Sequence, residues 1–458
     1  MTNDSVRDRR VLAGPIVPTF FHYVVPSLIG LLAISTASIV DGVFVGRFIG
    51  ADALAAVGLL VPYFTLLFGA SLMFAAGGVV RAGRCLGAGD PVAAGAIFSK
   101  CVVAVGALTL AAGVLANLFD ETLFRALGAP ERLFSSMRAY LRVISGALVV
   151  QMLSLVGYYF VRLDGRPVLA TSALVVGAVT NMGLNALFVG YLRWGLPGAA
   201  FATGVSQLVQ LCVLLRHFVF AERKLGFSLA QRGWNELGRI AFNGASEFAN
   251  EISGGLVMLL LNWLMMARVG VEGVSAFAAV NFAIFASLMI FYGISDALHL
   301  LVSQNLGAGN ALRIARFLRT ALGSVAIVGA LFCLGLLGFG EHWLRLFLED
   351  SSRNVFERAT EFLDVVWPLF LVNGVNVVIT VYLAAMHRPA PAGLLALGRS
   401  LVLPAGFLLV LSSWSPGTPF LLALPLAEWA TAFAGVVLLA RFRPGLAERR
   451  DLAGAVMP

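Results

Sequence analysis

Twelve stretches of this chain, each of about 20 residues or more, run with very little charge, and that pattern limits the possible folds before any motif is read. A helix needs about 20 apolar residues to cross a hydrocarbon core about 30 Å thick. The stretches fall at 18–46, 54–80, 96–119, 139–161, 168–190 and 196–217, then at 240–267, 274–302, 315–338, 362–384, 391–412 and 418–440. Only 12% of the 458 residues are Asp, Glu, Lys or Arg, and 59% are hydrophobic. A soluble domain carries about twice that share of charge. So little charge cannot cover a globular surface, and the chain reads as an all-α polytopic membrane protein with twelve transmembrane helices.

The net charge of +8 does not point to nucleic acid, because no basic run is interleaved with aromatic residues. In a membrane protein, Lys and Arg concentrate in cytoplasmic loops. With the N-terminus inside, 22 of the 32 Lys and Arg residues, Arg399 among them, fall on the inner side. Both termini are therefore expected in the cytoplasm. "MTNDSVRDRR" precedes the first apolar run and no A-x-A site follows it, so that run reads as a first helix and not as a removed signal. Cys85, Cys101, Cys212 and Cys333 stand singly, with neither metal nor redox spacing. There is no H-x-x-H, nucleophile elbow or Walker lysine. An enzyme or an ATP-driven pump gains no support, and no cofactor is expected.

The chain repeats itself. "CLGAGD" (85–90) recurs as "NLGAGN" (305–310), "GADALAA" (50–56) faces "GVEGVSA" (270–276), and "LPGAAFAT" (196–203) recurs as "LPLAEWAT" (424–431). Six spans per half return the chain to the same side, so the repeats are parallel, as in transporters that rock two bundles around a central cavity. The expected division is a first lobe at 1–219, a cytoplasmic linker or surface helix at 220–239 and a second lobe at 240–458. A monomer is expected.

Five acidic residues lie deeper than the first turn of a span: Asp41, Glu247, Glu251, Asp296 and Glu428. A charge at mid-membrane costs about 2.5–3.5 kcal/mol on insertion scales and persists beside a partner or in a wet cavity. Protonation relieves that cost, which makes each residue a candidate for reversible proton or cation binding. Glu247 and Glu251 are i, i+4 and share one helix face. At 1.5 Å per residue, Glu247 lies about 12 Å deep, Glu251 about 18 Å, and Glu428 about 15 Å from the opposite side. Glu251 and Glu428 are thus expected to meet near mid-membrane, with Asp296 nearer the depth of Glu247. His299, one turn beyond Asp296, is either a proton relay or a packed histidine. The spans are read as carrying no Lys or Arg near their centres, so the intramembrane charge is expected to be acidic.

In the first half, Asp41 on the first span has Asn181 and Asn185 on the fifth and Thr203 on the sixth as polar counterparts. Carboxylate, amide and hydroxyl oxygens suit a small hard cation; the same residue types also join helices within lipid. Pro26, inside the first span, removes a backbone hydrogen bond and invites a kink or hinge.

These motifs together resemble the multidrug and toxic compound extrusion (MATE) family, in particular its bacterial drug-efflux branch. The resemblance rests on "DGVFVGRFIGADALAAVG", "LGAGD", "RLDGRP", "NMGLNALF", "GAAFATGVSQ", "SEFANEIS", "SQNLGAGN" and "LPLAEWAT", which span nearly the whole chain in order. It implies two six-helix lobes in a V around a central cavity, working in a bacterial inner membrane as a cation-coupled antiporter whose coupling ion is Na⁺ or H⁺. It implies a cation site, possible for Na⁺, at Asp41, Asn181, Asn185 and Thr203, and a bend in the first helix at Pro26. Family members usually carry an aspartate where this chain has Asn185, in the pattern N-x-x-x-D, so one carboxylate of that site is missing here.

Two functions follow as expectations. The first is export of organic cations or amphipathic drugs by alternating access, with Glu247, Glu251, Glu428 and Asp296 binding substrate or protons. The second is flipping of lipid-linked precursors on the same two-lobe layout, which calls for a cavity rich in Lys and Arg. The acidic spans favour the first, and H⁺ over Na⁺ as the coupling ion.

Overall fold

The computed structural model describes residues 10–220, 223–228, 233–348, 353–414 and 420–443. In lipid no water is present to satisfy backbone polar groups, so apolar stretches of this length must bond internally as helices. The first six are α1 (Ile16–Phe44, extended by a π turn Val45–Ile49), α2 (Ala51–Gly87), α3 (Pro91–Leu118), α4 (Phe134–Leu163), α5 (Pro167–Asn185, extended by a π turn Ala186–Tyr191) and α6 (Gly195–Phe220). The next three are α7 (Glu236–Arg268), α8 (Val271–Gly307) and α9 (Ala311–Leu348). α10 is a pair, Arg353–Val366 and Leu369–Ala385, bent by 52° at its break. α11 comprises Pro389–Leu397 and Leu403–Trp414 joined by a π turn Gly398–Val402, and α12 is Ala423–Arg441.

Among the described residues, eleven helices are long and apolar enough to cross a membrane, and the bent pair supplies a twelfth crossing. The bend in α10 departs from the single straight span expected at 362–384. Pro368 stands in the break, where its ring clashes with the carbonyl four residues back and its missing N–H removes a helical bond.

Internal packing divides the chain into two compact units, Met1–Gly14 with Phe21–Gly244, and Pro15–Phe20 with Ala245–Pro458. The division falls inside α7. Part of the bridge at 220–239 lies outside the described residues. Of the rest, residues 223–228 are not helical; they pack on the first unit, with Leu225 fully buried and the Ser228 N–H donating to Ser99 Oγ at 3.0 Å.

The repeat visible in the sequence is also a repeat of packing. In the first unit α4 packs against α2, α3 and α6, while α5 packs on α6; in the second, α10 packs against α8, α9 and α12, while α11 packs on α12. α4 and α10 are the central helices of their units, and Leu369–Ala385 is buried along nearly its whole length. The turns match as well. Ala88, Gly89 and Asp90 donate their N–H groups to Arg84, Leu86 and Cys85 at 3.0, 3.1 and 2.9 Å, and Ala308, Gly309 and Asn310 to Gln304, Leu306 and Asn305 at 3.0, 3.1 and 2.8 Å. Gly89 (φ 83°) and Gly309 (φ 70°) occupy the left-handed region at the same place in each turn, where a Cβ is strained.

Candidate functional site

In the first unit, α1 and α5 bring Asp41 and Asn185 together. The Asn185 Nδ2 group donates to Asp41 Oδ1 at 2.8 Å and to Asn181 Oδ1 at 3.2 Å. Asn185 is fully buried, and its own Oδ1 has no hydrogen-bond partner. Both helices widen into π turns just beyond these residues, a distortion that recurs at functional sites. Buried Tyr140 of α4 lies within Coulombic range of Asp41.

Thr203 does not join this group. Its hydroxyl donates to the Ala199 carbonyl one turn back at 3.1 Å, a common local bond for a helical threonine. Three of the four residues expected at this site are therefore assembled. As a set they offer one carboxylate, and the Asn185 amide turns its nitrogen to that carboxylate, the place a cation would occupy.

α1 runs on through Pro26 without a break. Ser27, the next residue, accepts a hydrogen bond at Oγ from Arg162 Nη2 at 2.6 Å, and the Arg162 guanidinium lies 5.1 Å from the Tyr158 ring centre. Arg162 is among the largest fully buried side chains, and the sequence reading placed it simply on the inner side.

In the second unit, the expected meeting of Glu251 with Glu428 is replaced by a different pairing. Glu428 on α12 accepts from Arg399 Nε at 3.1 and 3.3 Å and from Asn376 Nδ2 at 2.6 Å. Arg399 Nη2 donates to Asn373 Oδ1 at 2.6 Å, and the guanidinium lies within Coulombic range of Tyr292 of α8. No hydrogen bond or ion pair joins Glu251 to Glu428 among the described residues. The expectation of purely acidic intramembrane charge is also corrected. Arg399 is buried inside the π turn of α11, not on the inner surface. It persists there because a carboxylate and an amide oxygen hold its charge.

Glu247 and Glu251 lie on α7, and both are within Coulombic range of Tyr292. Glu247 Oε1 approaches His299 Nε2 of α8 at 3.4 Å. Asp296 is half-buried on α8, three residues before His299. Around this pair, Ser246, Asn250 and Ser295 each keep a buried side-chain oxygen without a hydrogen-bond partner. The arrangement is a polar seam along α7 and α8 adjoining the Tyr292–Arg399–Glu428 network. Seam and network together hold three glutamates, of which Glu428 alone pairs with the one guanidinium, so the cluster is net acidic when all are ionised.

Sequence reasoning missed Arg399, Tyr292, Asn373 and Asn376. For Arg399 a signal was available: it stands ten residues past Pro389, too deep in an apolar run for a loop residue. The two asparagines and the tyrosine gave none, because polar neutral residues are common in transmembrane helices.

Comparisons with known proteins agree with this architecture. The chain is 25% identical over 448 residues to an FAD transporter from Shewanella oneidensis, covering 95% of this chain and 97% of the relative. It is 23% identical over 439 residues to the multidrug export protein MepA of Staphylococcus aureus, covering 94% and 95%. Its fold matches an outward-facing multidrug resistance MATE family transporter with a TM-score of 0.87, at 20% identity over 96% of this chain and 98% of that one. The MatE family model matches residues 26–187 and 255–407, one block in each half and more than half of the whole. The chain is a multi-pass membrane protein that belongs to the MatE family of transporters.

Proposed function

We propose that this protein is a proton-coupled antiporter that exports organic cations or amphipathic compounds across a bacterial inner membrane, with both termini in the cytoplasm. The observation that carries this reading is the acidic seam of the second unit. Glu247, Glu251 and Glu428 outnumber Arg399, and Glu251 has no compensating cation bonded to it among the described residues. An ionised Glu251 attracts a cationic compound, and a protonated one releases it. Proton and cargo then exclude each other at one carboxylate, which is the thermodynamic requirement for exchange.

The first unit supports H⁺ over Na⁺. The Asn185 amide supplies to Asp41 a hydrogen bond where a second carboxylate and a bound cation would otherwise stand. On this reading the acids of the second unit carry the coupling, Asp296 and His299 lie on the proton route, and Pro26 is a hinge of α1.

The test is ethidium efflux by cells expressing wild type and Glu251→Gln at equal levels. The variant is expected to lose extrusion, and normal efflux would remove Glu251 from the mechanism. A second reading, transport of an anionic compound, is favoured by buried Arg399 and by the FAD transporter among the relatives. Against it, Glu428 already neutralises that guanidinium. Uptake into proteoliposomes of ethidium, FAD and a lipid-linked pyrophosphate, each under H⁺ and Na⁺ gradients in turn, separates the readings.

A further inference from the structure

We propose that a cavity at the start of α5 binds a phosphate-bearing anion. The cavity, of about 340 Å³, lies wholly within the first unit and is lined by Arg10, His22, Gly165, Arg166, Val168 and Leu169 among others. Among the described residues, no Asp or Glu lines it. Asp164, the neighbouring carboxylate, is engaged elsewhere: it meets His217 Nε2 at 2.7 Å and accepts from the Lys224 N–H at 3.2 Å.

Three kinds of donor converge on this space. Arg166 caps the helix without a side-chain cap bond. Its Nε is buried with no hydrogen-bond partner, and its guanidinium forms no ion pair among the described residues. Pro167 follows at the first helical position, and the first N–H of this helix to find an intrahelical acceptor is that of Ala170, bonded to the Arg166 carbonyl at 3.1 Å. Helical geometry leaves the Val168 and Leu169 N–H groups without such acceptors, and both residues line the cavity. The third donor is Arg10, whose charge lies within Coulombic range of His22. Guanidinium forks and free N–H groups at a helix start are what phosphate oxygens accept from.

The second unit supplies an internal control. Asp164, Gly165 and Arg166 donate their backbone N–H groups to Phe160, Arg162 and Val161 at 3.0, 3.0 and 3.1 Å; Met386, His387 and Arg388 make the same bonds to Tyr382, Ala384 and Leu383 at 2.9, 3.0 and 3.0 Å. In the second unit the arginine of this turn is covered, with the Arg388 guanidinium 5.6 Å from the Phe442 ring centre. The same turn thus leaves Arg166 open to a cavity and Arg388 closed over an aromatic ring.

The ligand chemistry is a phosphate monoester or diester, either the headgroup of an anionic phospholipid or a soluble phosphate. On the orientation proposed above, the cavity opens toward the cytoplasmic headgroups, yet the test reads binding and stands whether or not the transport reading does. Purified full-length protein is delipidated and offered phosphatidylglycerol or phosphatidylcholine, with retained lipid counted by native mass spectrometry. In a parallel arm, inorganic phosphate is titrated while thermal unfolding is followed.

Wild type is expected to retain phosphatidylglycerol over phosphatidylcholine, or to gain thermal stability with phosphate. The first outcome identifies a lipid and the second a soluble ligand. Arg166→Gln and Arg10→Gln are each expected to weaken that binding roughly tenfold, the worth of one charge-assisted contact, whereas Arg84→Gln at the end of α2 leaves it unchanged. Arg166→Lys, which keeps the charge, serves if the glutamine variant does not fold, and is expected to retain part of the binding. Equal retention of the two lipids by wild type with no phosphate response overturns the proposal, as does an equal loss in Arg84→Gln.

Discussion

Arg399 reaches both carboxylate oxygens of Glu428 through a single Nε, at 3.1 and 3.3 Å, and neither side chain is more than 14% exposed. Breaking such a pair from one side leaves an uncompensated charge in a dry setting. Glu428→Gln is therefore expected to cost about 3–5 kcal/mol, and the double variant Arg399→Leu/Glu428→Leu considerably less. Thermal unfolding of the purified variants in one detergent checks this. A glutamine variant as stable as wild type would show that the pair is already wet.

The Asp41–Asn185 bond leads to a prediction about ion choice. Asn185→Asp brings a second carboxylate within about 3 Å of the first, and two such groups do not both ionise without a cation or a proton between them. Wild-type transport is expected to run on a pH gradient and to ignore Na⁺, whereas the aspartate variant gains a Na⁺-stimulated component. Ethidium uptake into proteoliposomes under each gradient is the measurement. A strict Na⁺ requirement in wild type would defeat the proton reading.

How far the sequence carries differs between the two units for physical reasons. The twelve crossings and the parallel repeat were legible because hydropathy acts over long windows, and because the turns at 88–90 and 308–310 need glycine at one place. Asn181, Asn185 and Asp41 were legible as a group because i, i+4 spacing puts two amides on one face. Thr203 stands outside that hydrogen-bonded group because a hydroxyl has its own helix as an alternative partner. The Glu428 pairing was missed because depth along a helix does not give direction around it: Glu251 and Glu428 lie at similar estimated depths, yet Glu428 turns to α10 and α11. Arg399 was hidden by the loop-charge count, which has no means of separating a surface arginine from a buried one near the same end of a span.

Glu236 joins the start of α7 to the first unit. It accepts from Arg81 at 2.9 Å and from Lys100 at 3.0 Å. Lys100 is almost entirely buried, while Glu236 and Arg81 are each about a quarter exposed. Glu236→Gln leaves the lysine charge without its counter-ion. Solvent reaches the other partners, so the expected loss is at or below the low end of about 3–5 kcal/mol. Lys100→Met with Glu236→Gln is expected to recover part of it. Equal thermal stability of wild type and the single variant would place this triad with ordinary surface pairs.

Gly244 and Gly77 set the distance between α7 and α2. A Cβ on Gly244 would run into the Met73 carbonyl, and one on Gly77 into the Ile240 carbonyl. Both obstacles are backbone, so no rotamer change relieves them, and the helices must separate. Small residues at such crossings allow the close approach on which helix packing in lipid depends. Gly244→Ala is expected to destabilise the protein by about 1–3 kcal/mol, and Gly77→Ala by a similar amount. Because the two glycines line one contact, the double variant should cost less than the two single losses together. Gly254 has open space around the same hypothetical methyl, and Gly254→Ala provides the control, with no loss expected. Thermal unfolding of the four variants decides the matter: a Gly244→Ala protein as stable as the Gly254→Ala control would mean that α2 and α7 do not meet as closely as these glycines imply.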